Sequence, residues 1–244
     1  MTETVSDETA VISSETTSEE NIVAQKTIVY ETLVDPAVIK IAGKNLKDRL
    51  FTRFGFLKPK PEEVQIVSID KYYKPYILVS GRYLIDYYRK RVCAVKVAED
   101  VSEVIFNDQT FKPKHVGDSS AKGYNAIELE GEERLIKEAR ASLTLDESGQ
   151  DVALKELSSA PSEKNPEEVL ARFSTKEVPP DTDLDMLRSR ICKRPADINR
   201  IANELFEVSE RVIIYTPRFR VLFKNVKTGE KKLVEFDGVT ARKT

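Results

Sequence analysis

The chain has 244 residues, 40% of them apolar and 33% charged, with a net charge of −2. That length suits one large domain or two small ones, and the absence of any 18-residue apolar run argues against a transmembrane helix or membrane insertion. The acidic start at Met1, Thr2 and Glu3 argues against a secretory signal, and Cys93 and Cys192 share no motif spacing, so a cytosolic protein with reduced thiols is expected.

Residues 1–25 hold six acids (Glu3, Asp7, Glu8, Glu15, Glu19 and Glu20), no Lys or Arg, and many Ser and Thr. Such a stretch buries too little apolar surface to offset the entropy of ordering it, so a disordered acidic tail is expected. The remainder, 26–244, is expected to form a single globular body. Residues 27–33 read as a short strand. Asp35 and Pro36 then start a helix, as N-cap and first helical residue. Val38, Ile41, Ala42, Leu46, Leu50 and Phe54 share one face, Gly43 is an unfavourable interior residue, and Gly55 is placed to end the helix.

Residues 64–106 read as an antiparallel meander. Within it, 73–79 fit the pattern Tyr-x-Pro-x-apolar-x-Val, Ser80 and Gly81 suggest a tight turn, and 83–97 read as one bent aromatic strand or as two strands broken near Arg89 to Arg91. Residues 111–123 read as a loop, 124–129 as a strand, 130–133 as a charged turn and 158–166 as a linker. Short helices are expected over 166–173 and 184–193, with a chain break at Pro179 and Pro180. The clearest helix of the sequence is expected to open at Pro195. Ile198, Ile201, Ala202, Leu205 and Val208 form its apolar stripe.

Residues 212–223 then read as a second aromatic strand, and 215–221 repeat the Tyr-x-Pro-x-apolar-x-Val pattern. Period-two alternation puts Tyr215, Phe219, Val221 and Phe223 on a core face and Arg218 and Arg220 on a wet one. Lys227 to Gly229 turn the chain, and 231–236 return. The predicted fold is α+β: a mostly antiparallel sheet with helices packed on one side. Two pseudo-repeated helix-hairpin units, about 36–106 and 195–240, flank an acidic, looser segment, 107–194.

No catalytic, cofactor or metal motif stands out, and no cofactor is expected. His115 is the only histidine, and the thiols lack a motif that pairs them with it. Two cysteines and one histidine fall short of a zinc site. Asp181, Asp183 and Asp185 resemble the start of a calcium loop, but Met186 and Cys192 occupy the positions that need Gly and Glu. Glycine-rich phosphate loops are absent.

Charge is segregated. Residues 71–91 hold six bases and one acid, 211–232 seven bases and one acid, and 98–170 eight bases and 17 acids. The basic hairpins therefore carry the candidate contact residues: Lys71, Lys74, Arg89, Lys90, Arg91, Arg218, Arg220, Lys224, Lys231 and Lys232. The leading expectation is a non-enzymatic interaction module of a cytosolic complex, holding a protein partner through a sheet edge and these hairpins. The alternative is nucleic-acid binding by the same residues, with bases stacked on tyrosines and phosphates on Lys and Arg.

Overall fold

The structure, a computed structural model, describes residues 17–51, 59–117, 123–154, 157–176, 178 and 181–244. Residues 1–16 of the expected acidic tail, the expected helix end at Gly55, part of the 111–123 loop, and Pro179 and Pro180 lie outside the described residues. Of the stretch read as a tail, Thr17–Ile22 form strand β1.

Strand makes up 54% of the protein and helix 16%, so the chain is mainly β. This corrects the α+β expectation. The main sheet is mixed and has seven strands, with three long strands at its centre. These are β3 (Val64–Val97), β7 (Tyr124–Leu145) and β8 (Arg200–Asn225). In path order the sheet runs β1-β8-β3-β7-β6, where β6 is Lys114–Val116. The outer side of β8 is further covered by β2 (Lys26–Val29), parallel to it, and β9 (Lys231–Asp237), antiparallel. A separate two-stranded hairpin joins β4 (Val104–Phe106) and β5 (Gln109–Phe111). Among the described residues there are three α-helices, α1 (Pro36–Leu50), α2 (Pro166–Arg172) and α3 (Thr182–Ile191), and a single 3-10 turn at Pro61–Glu63.

The described residues give no evidence of a repeat, which corrects the second part of the fold expectation. The segment expected to be the clearest helix is instead the start of β8, so the second hairpin has no helix directly before it. Ile198, Ile201, Ala202, Leu205 and Val208 have helical spacing, but the buried residues are Glu204, Phe206 and Val208, which alternate as a strand requires. Cross-strand pairing outweighs the local pattern here. The two tyrosines of the shared pattern also differ in setting. Tyr73 is fully buried, its ring 5.7 Å from that of Phe173, whereas Tyr215 is half-buried and opposite Val29.

The chain divides into two compact units. Unit 1 comprises 17–21 of the described residues, Tyr83–Ala139 and Cys192–Phe206; unit 2 comprises Ile22–Arg82, Arg140–Ile191 and Glu207–Thr244. In unit 2 the core joins Ile39 and Phe51 to Val64, Phe219, Val221, Phe223, Val234 and Phe236. The strand alternation predicts this face of β8 correctly. The Asp35 side chain caps α1 by accepting from the Ala37 N–H at 2.6 Å. Gly43 lets α1 lie close to the sheet, since a Cβ there would sit 3.2 Å from the Phe223 ring and 3.3 Å from Ile66. Gly81 makes no turn. It lies inside β3, where a Cβ would collide with the Glu207 carbonyl oxygen.

Candidate functional site

In unit 1, β3 is crossed by charge-bearing neighbours on both sides. From β8, Arg200 lies over the Tyr88 ring, 3.4 Å from its centroid; from β7, Arg134 lies 5.7 Å from the same centroid. Each guanidinium is tied to a carboxylate. Arg200 meets Glu132 at 3.0 Å, and Arg134 makes a forked pair with Asp86 at 2.6 and 2.9 Å. The hydrogen bond from Arg134 holds the Asp86 carboxyl below its ordinary range against the opposing effect of burial. Further along, Tyr83 donates to Glu204 at 2.6 Å, and Arg194 pairs with the same carboxylate. Arg194 holds the Glu204 carboxyl down. Burial, then the bond to Glu204, pushes the Tyr83 hydroxyl up to about 12.

These networks decide where the expected contact residues stand. Arg89 is held by Glu133 and Asp197, both at 2.9 Å, and Arg91 lies 3.7 Å from Glu133. Lys90 and Arg91 line a cleft of about 420 Å³ with Val92, Glu130, Gly131 and Glu132. In unit 2, Lys71 sits over Tyr73 and Phe173, and Lys74 pairs with Glu147 at 3.0 Å. Burial draws the Lys74 ammonium down, but Glu147 more than restores it, and its proton is held more tightly than usual. Arg220 lies over the Tyr72 ring at 4.4 Å and pairs with Glu235 at 3.5 Å. Lys224 and Lys231 face each other across the β8–β9 ladder. Lys232 pairs with Glu230 and donates to the Leu50 carbonyl.

Arg218 departs most from the sequence reading. Strand alternation predicts a wet face for it, yet it is only 3% exposed. Its guanidinium meets Asp237 at 2.9 Å and donates to the Tyr76 hydroxyl at 3.2 Å. A buried cation needs such partners, because desolvation otherwise costs several kcal/mol.

Two features of unit 1 are not legible in the basic-residue pattern. The first is the outer edge of β7. β6 covers it only at Tyr124, Asn125 and Ala126, and over 127–137 no described strand pairs with that edge. The second is a groove of about 700 Å³ lined by Val92, Phe106, Phe111, Leu129, Glu128 and Glu130 among others. It runs beside the same part of β7. Exposed apolar side chains cluster along these strands. Ile136 is 66% exposed and Phe106 53%, with Val92, Val95 and Ile105 also open. The sequence hides the edge because Glu130, Gly131, Glu132 and Glu133 read as a turn. Gly131 in fact continues β7, and a Cβ there would meet nothing within 4 Å.

Among the described residues no group of three or more His, Cys, Asp or Glu is placed to hold a metal ion. No described helix is long and apolar enough to cross a membrane. No family model, curated protein or solved structure matches this chain.

Proposed function

We propose that the protein is a non-enzymatic interaction module that takes an extended segment of a protein partner as an added strand on the outer edge of β7. The observation that carries this reading is the strand-free edge over 127–137, bordered by a groove with apolar and acidic walls. An open edge offers its backbone N–H and C=O groups to an incoming chain, and alternate side-chain pockets select the sequence. Glu128, Glu130, Val92 and Phe106 suit a segment that alternates basic and apolar residues. In this reading the basic hairpins serve chiefly to hold the sheet together, since Arg89, Arg91, Lys74, Arg218, Arg220 and Lys232 all have acidic partners within the chain.

The test uses a synthetic peptide alternating valine and lysine, with a proline-interrupted version as control. Amide hydrogen exchange should slow at 127–137 with the first peptide and not with the second, which cannot complete a ladder. Slowing elsewhere only, or none with either peptide, rejects strand addition.

Nucleic-acid binding remains the second reading, and one observation favours it. Lys224 and Lys231 stand directly opposite one another, where like charges repel, and a polyanion would relieve that. The tyrosines give it less support. Tyr72, Tyr73, Tyr76, Tyr83 and Tyr87 are buried, and Tyr88 is covered by Arg200. Salt-sensitive retention of a single-stranded oligonucleotide, lost in Lys224→Gln/Lys231→Gln, would establish it.

A further inference from the structure

We propose that a cleft in unit 2 beside Arg218 is a binding site for an oxyanion of the phosphoryl type, independent of strand addition at β7. The cleft measures about 580 Å³. Four cationic side chains line it, Lys74, Arg218, Arg242 and Lys243, against the carboxylates of Asp146 and Asp237. Glu147, just outside the lining, is paired with Lys74, so the cleft keeps a smaller positive excess, carried by Arg242 and Lys243, which favours an anion.

The four cations differ in kind. Arg218 is fixed. Asp237 and Tyr76 hold its guanidinium, and its buried Nε has no acceptor among the described residues. A buried donor left without an acceptor is costly in a native protein. A guanidinium locked by neighbours has already lost the rotamer entropy that anion binding would otherwise cost, so it is preorganised for a planar or tetrahedral oxyanion. Lys74 is shared with Glu147. Arg242 and Lys243 are different again: exposed, with side chains that have no hydrogen-bond or ion-pair partner among the described residues.

Asp237 connects the fixed cation to the open ones. Its Oδ2 takes Arg218 and the Ser158 hydroxyl. Its Oδ1 accepts the N–H groups of Val239 and Thr240 at 2.8 and 2.9 Å. Its own N–H donates to the Arg242 carbonyl at 2.8 Å. One carboxylate thus orients the buried guanidinium and shapes the turn that delivers Arg242 and Lys243 to the cleft. Asp146 is partly occupied, its Oδ1 accepting the Ser148 N–H and hydroxyl and the Gln150 N–H, and its charge also acts on Lys74.

The test is calorimetric titration of the full chain at low salt with pyrophosphate and, separately, with a phosphoserine peptide. Saturable binding of either is expected. The stronger of the two assigns the source to a free compound or to a phosphorylated segment. Arg242→Gln/Lys243→Gln changes two exposed residues and should weaken binding about ten-fold or more, the loss of at least one charge-assisted contact. Lys224→Gln/Lys231→Gln, which removes the same charge from residues that do not line the cleft, should leave affinity unchanged. No saturable heat from either probe overturns the proposal. So does equal weakening by the two double variants, which would mean attraction to diffuse charge alone.

Discussion

The two units solve the same problem by different means. Unit 2 buries a set of aromatic and branched side chains, Phe51, Phe219, Phe223 and Phe236 with Ile39, Val64, Val221 and Val234. Unit 1 buries fewer large apolar groups, Tyr83, Ile85, Tyr87, Ile127 and Phe206 among them, and adds ordered ion pairs around Tyr88 and Glu204. Apolar burial carries no titrating group, whereas paired charges respond to pH and are screened by salt. In unit 1, Ile136, Val92 and Phe106 lie outside the buried group and face solvent.

The largest effect that would test this contrast is Phe219→Ala in unit 2. With the ring 2% exposed, the loss should be about 3–5 kcal/mol, read as a fall in the urea midpoint. A loss under about 1 kcal/mol would mean that the core of unit 2 does not carry its stability. Next is Glu204→Gln in unit 1. It removes the charge shared by Tyr83 and Arg194 and should cost about 1–3 kcal/mol, seen as faster amide exchange around 83–88 and 199–204.

A pH series sharpens the same point. Arg194 holds the Glu204 carboxyl below its unfolded value of about 4.3. Its contribution is therefore fully present above that pH and disappears as pH falls through the lower folded value. Asp86, held down by Arg134, acts in the same direction. Between pH 6 and pH 3 the melting temperature of the unmodified protein should fall more steeply than that of Glu204→Gln. Parallel curves would remove Glu204 from the account. The smallest effect belongs to Lys114, whose pair with Glu128 at 2.7 Å is largely exposed. Lys114→Ala should leave the melting temperature nearly unchanged, since solvent screens so exposed a pair.

What the sequence disclosed follows from the range over which each signal acts. Helix α1 announced itself through Asp35 and Pro36, both local features, but its expected apolar face was only partly right: Val38 and Ile41 are exposed, and Ile39, outside that face, is the residue buried in the core. The core face of β8 was readable from the alternation of Phe219, Val221 and Phe223. The start of β8 was not, because Ile198, Ile201 and Leu205 imitate a helical stripe, while the pairing that makes it a strand comes from β1 and β3, far away in the chain. Gly81 and Gly131 suggested turns for the same reason. A glycine permits a turn, but it also permits the close approach of a neighbouring strand or an open position on a ribbon, and only the neighbours decide. Arg218 looked like a solvated strand residue until Asp237 and Tyr76 were placed beside it. The cations were legible in the sequence but their acidic partners were not, and an edge lacking a neighbour has no signature in composition.

The pairing of β3 with β8 also sets a timetable for synthesis. Tyr76 on β3 meets Arg218 on β8 across a separation of 142 residues. At about 5–20 residues per second, a ribosome needs roughly 7–28 s to make that interval. During that time β3, a 34-residue strand rich in tyrosine and valine, has left or is leaving the ribosome without the neighbour that will cover it. Long-range strand pairing is slow even once both partners exist. The nascent chain therefore passes through a period in which its longest strand is open to association with other chains, and its yield in a cell should depend on chaperones that bind extended segments and on the speed of translation between the two strands.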